Sequence, residues 1–283
     1  MQRYSILHRT YYNYSGQVTL APHRLLLRPR EDHELRIESF ALKISPAATL
    51  KWHRDVEGNS VGIATFAALT NQLVIESQAI IQQYNEAPLD FLVADYAIHY
   101  PFLYLEGDQF LLSPYRAAPS PETSGLLNRW IANFWRTNEP IQTYSLLQRL
   151  ASHIFQTLTY RVREEPGVQT VEQTLSCGTG SCRDFAYLFL KAARCLGLAS
   201  RFVSGYLHAP LLGGKAGATH AWAEVYLPGA GWKGFDPTTG EIVGSDHITV
   251  AVARLPESVP PIAGSFFGAP NSSMEVGVWV SRV

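Results

Sequence analysis

The chain has 283 residues, 46% hydrophobic and 17% charged, against about 25% charged in an average soluble protein, a balance that excludes disorder as its overall state. That length accommodates two domains or one large one. With 23 Lys and Arg against 24 Asp and Glu, the formal net charge of -1 lacks the basic excess of a phosphate-neutralising protein and argues against nucleic acid as a partner. The three cysteines, Cys177, Cys182 and Cys195, form an odd, clustered set unlike a secreted disulfide framework, which favours a reducing compartment. The opening MQRYSILHRTYY lacks the apolar stretch of a leader, and no run reaches the about 18 apolar residues of a spanning helix. The expectation is a soluble, cytoplasmic protein with no membrane partner.

Residues 1–90 read as an antiparallel β-sandwich. Its runs Arg24–Arg30, Leu35–Ile44, Thr49–Phe66 and Leu73–Tyr84 are separated by turn signals such as Pro29, Ser45-Pro46 and Glu57-Gly58-Asn59. The tyrosines and branched residues there read as packing. Prolines 88, 101, 114, 119 and 121 punctuate an aromatic-rich stretch, and residues 91–121 form a connector expected to lie against both neighbours. Residues 122–283 are the second domain. It opens with helices over Ser124–Thr137 and Ile141–Leu158, the latter with an apolar stripe of Leu146, Leu147, Leu150, Ile154 and Phe155. Trp130 and Trp135 read as core, and the alternating Ser273–Arg282 as a closing strand of this domain.

The sharpest local feature is Cys177-Gly-Thr-Gly-Ser-Cys182, a glycine-bearing loop that runs into a helix with the stripe Phe185, Leu188, Phe189, Ala192, Ala193 and Leu196, closed by Gly197 at the cap position. Cys182 falls at the first turn, where unpaired N–H groups and the helix dipole favour a thiolate and can hold an oxyanion. The alternative is a small buried hydrophobe. Cys195 reads as core. Cys177 reads as a neutral loop residue, with reversible pairing to Cys182 as the other option.

A thiolate needs a base that also returns a proton to the leaving amine, the work of histidine. Thr219–Leu227 alternates as a strand, with His220, Trp222, Glu224 and Tyr226 on one face and Ala221, Ala223, Val225 and Leu227 on the buried face. His220 follows a Gly213–Gly217 loop where a cleft can open. After Pro228-Gly-Ala-Gly231, a return strand ends at Asp236-Pro237. Leu227 opposite Gly231 sets Asp236 diagonal to His220, about 7 to 8 Å away across the ladder, whereas Leu227 opposite Trp232 sends Asp236 to the wrong face. Singly, His220 reads as a core histidine, and Asp236 reads equally as an orienting carboxylate or as an Asx turn or strand-end cap before proline. Together with Cys182 they read as nucleophile, base and orienter. Metal capture by Cys177, Cys182 and His220 is the weaker alternative, because that spacing is not a zinc pattern.

Four blocks in order, Gly180-Ser-Cys-Arg-Asp-Phe-Ala186, Ala199–Leu207, Thr219–Tyr226 and Gly231–Gly240, resemble the transglutaminase-like branch of the papain-type cysteine enzymes, in particular bacterial transglutaminase-like proteins described as cysteine proteases. His8–Tyr14 and Leu26–Arg30 resemble the β-rich N-terminal domain that accompanies them, and His247–Arg254 their closing segment. The resemblance implies an α+β core with the cysteine helix packed on an antiparallel sheet. It also implies Cys182, His220 and Asp236 as a catalytic triad acting on a peptide or protein amide through a thioester. Hydrolysis is the preferred outcome, with amine-acceptor transglutamination and a catalytically silent scaffold as alternatives. Tyr160 and Trp222 are candidates for a second oxyanion donor or substrate contact. No cofactor is implied, and no run resembles a calcium loop.

Overall fold

A computed structural model describes residues 1–84, 86–137, 139–163, 165–208, 218–268 and 271–283. Six strands open the chain: β1 (Gln2–Leu20), β2 (His23–Leu25), β3 (Leu35–Ser45), β4 (Ala48–Arg54), β5 (Ser60–Phe66) and β6 (Thr70–Gln83). The expected run Arg24–Arg30 is strand only as far as Leu25. In β1 the buried positions Tyr4, Ile6, His8 and Thr10 alternate with more accessible ones, the period-2 pattern of a strand with one face on a core. β1, β6 and β3 form one sheet, and β2, β5 and β4 the other. The β4–β5 hairpin turns at Gly58, whose φ of 75° favours glycine, and Asp55 Oδ1 accepts the N–H groups of Glu57 and Asn59 there.

The connector carries β7 (His99–Tyr100) and α1 (Glu106–Leu112); then follow α2 (Pro121–Ile131), β8 (Ile141–Gln142) and α3 (Thr143–Thr157). It touches both neighbours, as expected. The Tyr104 hydroxyl donates to Tyr226 O at 2.9 Å, and that of Tyr115 to Glu57 Oε2 at 2.7 Å. On α3, Leu146, Leu147, Leu150 and Ile154 are buried, but Phe155 is half-exposed, so the stripe is one residue narrower than expected. Trp135 is buried, while Trp130 packs at the edge of the core.

β9 (Thr159–Tyr160), α4 (Val171–Cys177), β10 (Thr179–Gly180) and α5 (Cys182–Cys195) lead to the core sheet of β11 (Ser200–Leu207), β12 (Ala218–Leu227), β13 (Gly231–Asp236), β14 (Glu241–Ile242) and β15 (His247–Ala253). The sheet is antiparallel, in the order β14-β13-β12-β11-β15. Ala221, Ala223, Val225 and Leu227 of β12 meet Phe185, Leu188, Phe189 and Ala192 of α5 in one core. The small alanines let the helix lie close, and each buried phenylalanine contributes about 1.5 to 3 kcal/mol. Gly197 ends the helix at φ 77°, with Leu198 N–H bonded to Ala193 O at 2.9 Å, a Schellman-type cap as the sequence predicts. The opposite face of the sheet is covered too: Trp222, Val203 and Val252 form a second, smaller core there.

The last strands, β16 (Ile262–Ala263), β17 (Phe266–Phe267) and β18 (Ser272–Arg282), correct the expected domain plan. The closing strand does not join the second domain. β18 runs antiparallel to β1 along its length, and β16 pairs with β2, so the segment completes the N-terminal sandwich. That sandwich docks behind the core sheet. Asn59, fully buried, bonds both the carbonyl and the N–H of Val252 (2.8 and 2.9 Å), and His8 Nδ1 meets the Tyr206 hydroxyl at 2.9 Å. Among the described residues no helix is long and apolar enough to cross a membrane.

Candidate active site

Cys182 is the first residue of α5 and is half-buried. The turn before it is fixed by Asp184, a fully buried carboxylate. It accepts the Ser181 N–H and hydroxyl (both 2.8 Å), the Gln169 N–H (2.7 Å) and the Arg163 guanidinium (2.8 and 3.0 Å). Burial opposes its charge, but these donors together hold the carboxyl below its usual range. Gly180 is needed for this packing, since a Cβ there would stand 2.9 Å from both Asp184 Cβ and the Phe185 ring. Cys182 and Arg183 are the first residues of the helix, so their N–H groups have no partner within it, and among the described residues no backbone acceptor outside it takes them.

The β12–β13 register has Leu227 opposite Gly231 and Ala223 opposite Phe235, the alternative that brings His220 and Asp236 together. His220 Nε2 and Asp236 Oδ2 are 2.7 Å apart and buried. Asp236 Oδ1 accepts the Thr238 N–H at 2.8 Å, so the Asx turn and the imidazole contact coexist, one on each oxygen. The Gly213–Gly217 loop expected before His220 lies outside the described residues. Burial alone would make His220 less basic. Hydrogen bonds to Asp236 and Cys182 outweigh it and push the imidazole's pKa well up, while Asp236, also opposed by burial, is held far below the carboxylate range by His220 and a second imidazole, His247. With Nε2 committed to Asp236, Nδ1 is the ring nitrogen left for the thiol.

Residues 4–82 match the bacterial transglutaminase-like N-terminal region, and residues 134–237 match the transglutaminase-like superfamily. An uncharacterised protein of Mycobacterium tuberculosis is 31% identical over 304 aligned residues, covering 98% of this chain and 91% of the relative. The chain belongs to the transglutaminase-like superfamily. A second uncharacterised relative, from Mycobacterium leprae, is 24% identical over 291 residues and covers all of both chains. A solved structure from Cytophaga hutchinsonii, described as a candidate cysteine protease, superposes with a TM-score of 0.76 at 18% identity, over 100% of this chain and 91% of that one. This likeness establishes a shared fold across both domains, an α+β molecule with an antiparallel sandwich and a transglutaminase-like core.

Within this transglutaminase-like core, Tyr160 is half-exposed opposite Gly180 across the parallel β9–β10 pair. Burial raises its phenol pKa, and its pairing with Gly180 sets its backbone beside the turn that leads to Cys182. Trp222 requires a correction. It is fully buried and cannot touch a substrate; its indole walls the imidazoles instead, edge-on to His247 with centroids 5.3 Å apart. Gly205 makes room for it, since a Cβ there would stand 2.6 Å from the indole and 2.3 Å from Ile248 O. Cys177 ends helix α4 and is exposed rather than lying in a loop, and all three cysteines are free thiols. Cys195 packs beside Ser124 and Asn128, and burial raises its thiol pKa.

Sequence reasoning gave His247 no role. Its Nε2 lies 3.1 Å from Asp236 Oδ2. Ligand atoms of His220, Asp236 and His247 fall within 4.8 Å of one another, a different set from the expected Cys177, Cys182 and His220. Zinc bonds of about 2.0 to 2.1 Å in tetrahedral array would hold ligand atoms about 3.3 Å apart. The observed separations of 2.7 and 3.1 Å are those of hydrogen bonds, so the group is better described as a carboxylate shared by two imidazoles.

Proposed function

We propose that the protein is a cysteine-dependent amide hydrolase that works through a thioester, with Cys182 as nucleophile, His220 as base and then acid, and Asp236 as the group that orients the imidazole. The observation that carries this reading is the buried 2.7 Å His220–Asp236 contact, made beside a cysteine at a helix N-terminus. Superfamily membership supports the chemistry in outline. In the first step the Cys182 proton passes to His220 Nδ1 and the sulfur attacks the amide carbonyl carbon. The oxygen gains the negative charge and rests on the N–H of Cys182, with the Tyr160 hydroxyl as the candidate second donor. The C–N bond then breaks as His220 returns its proton to the departing amine, leaving a thioester. Water, losing a proton to His220, attacks the thioester and releases the acid and the thiol.

An amine in place of water would make the product an exchanged amide. A glutamine peptide offered with a primary amine distinguishes the two, and hydrolysis is expected to exceed incorporation. The prior test concerns the pair itself: iodoacetamide labelling of Cys182 against pH, mapped by peptide mass, in wild type and His220→Ala. Labelling that persists through neutral pH in the wild type and is lost in the variant is the expected result. Equal labelling in both would overturn the assignment.

A further inference from the structure

His247 stands outside the chemistry just described, yet it is a donor to the carboxylate on which that chemistry rests. Its Nδ1 lies 3.3 Å from the backbone N–H of Gly244. A backbone N–H can only donate, so Nδ1 is the bare nitrogen and the proton sits on Nε2, directed at Asp236 Oδ2. Asp236 is therefore held by three donors: two imidazole N–H groups on Oδ2 and the Thr238 N–H on Oδ1. Together they fix the rotation of the carboxylate plane, and hence the direction in which His220 finds its acceptor. The Trp222 indole, edge-on to the His247 ring, keeps that ring from turning.

The segment bearing His247 is held from the other domain. Gln83, at the end of β6, donates from Nε2 to His247 O at 3.2 Å. The neighbouring Asp246 accepts from the Tyr4 hydroxyl of β1 at 2.8 Å and pairs with His208 at 2.9 Å. We propose that His247 is a positioning residue for the Asp236 carboxylate and that the N-terminal sandwich bears on the triad through the segment that carries His247. This inference rests on the triad reading above. The titratable groups around His220 are Asp236 from β13, Cys182 from α5 and, farther out, Tyr160 from β9, with His247 behind the carboxylate.

Two effects of removing His247 oppose one another. If His247 only competes with His220 for Oδ2, its loss leaves the carboxylate wholly to His220, whose titration moves to higher pH. If His247 aims the carboxylate, its loss lets the carboxylate rotate, and His220 titrates lower, nearer an ordinary imidazole. The experiment uses the full chain with 15N-labelled histidine, following His220 by NMR and Cys182 by iodoacetamide labelling in wild type, His247→Phe, His247→Gln and Gln83→Leu. The expected result is a lower His220 titration and labelling slowed about tenfold to a hundredfold in His247→Phe. The amide donor of His247→Gln should restore part of both, and Gln83→Leu should shift both in the same direction by less. A His220 titration unchanged or raised in His247→Phe overturns the proposal. Should that variant fail to fold, the wild-type spectrum still decides, because a neutral His247 protonated on Nδ1 overturns it as well. If His220→Ala leaves wild-type labelling unaltered, the triad reading fails instead, and the two failures are distinct.

Discussion

Asp184→Asn tests whether the buried carboxylate beneath the cysteine helix is what holds Cys182 in place. In the native protein five hydrogen bonds converge on it, two from Arg163, two from Ser181 and one from Gln169. An asparagine keeps one acceptor oxygen and puts an NH2 where the other was. With the NH2 at the Oδ2 position, it faces the Ser181 N–H and the Arg163 guanidinium, donor against donor. With the NH2 at the Oδ1 position, it faces the Gln169 N–H. Either way a buried N–H loses its acceptor, and Arg163, itself largely buried, loses its buried counter-charge and keeps only the exposed carboxylate of Glu165 at 3.6 Å. Breaking one side of a buried, hydrogen-bonded charge pair costs about 3 to 5 kcal/mol. For a chain of this size that lowers the thermal midpoint by about 5 to 8 °C. Thermal and urea unfolding at pH 7 measure the loss, and iodoacetamide labelling of Cys182 measures the displacement of the helix start, which is expected to slow it. A loss below about 1 kcal/mol with normal labelling would falsify the view that Asp184 organises the turn.

Two further outcomes follow from buried groups elsewhere. Burial pushes the pKa of His8 down to about 4 from an ordinary 6.5, so between those values the unfolded chain binds the extra proton and stability falls as the pH falls. The loss amounts to about 3 kcal/mol once pH 4 is reached; urea midpoints from pH 7 to 4 in wild type and His8→Gln should show a flatter acid limb in the variant, and parallel limbs would refute the assignment. At Gly205 a methyl group meets the Ile248 carbonyl and the Trp222 indole. Gly205→Ala should cost about 1 to 3 kcal/mol and slow Cys182 labelling by displacing the indole beside His247; an unaltered unfolding midpoint would show that the strand gives way freely.

The parts of the site that could be read in the sequence are those whose geometry is local. The α5 stripe follows from helical period and its cap from the residue type at Gly197, whereas strand parity and a short hairpin loop narrowed the His220–Asp236 placement to two registers, one of which, Leu227 opposite Gly231, is the register observed. His247 was out of reach because its approach to Asp236 depends on β15 lying beside β11, a pairing with no local signal, with β11 and β12 both between it and β13 and Gly205 of β11 leaving room for the Trp222 indole. The same limit applies to β18. Alternation identified it as a strand, but a period of 2 does not name the partner, and the strand's true neighbour lies at the other end of the sequence. Phe155 and Trp222 failed differently: periodicity assigns a face, and whether that face is covered depends on what docks there.

The return of β18 to β1 has a consequence for biosynthesis. A ribosome making about 5 to 20 residues per second delivers β18 roughly ten to forty seconds after β6. During that interval the longest strand of the sandwich has one flank without a neighbour, the kind of exposed edge that recruits other chains. The last strand of the core sheet, β15, ends at Ala253 and so also leaves the ribosome before β18. Synthesis thus completes the strands of the core sheet before those of the sandwich, and the emerging tail closes the vulnerable flank.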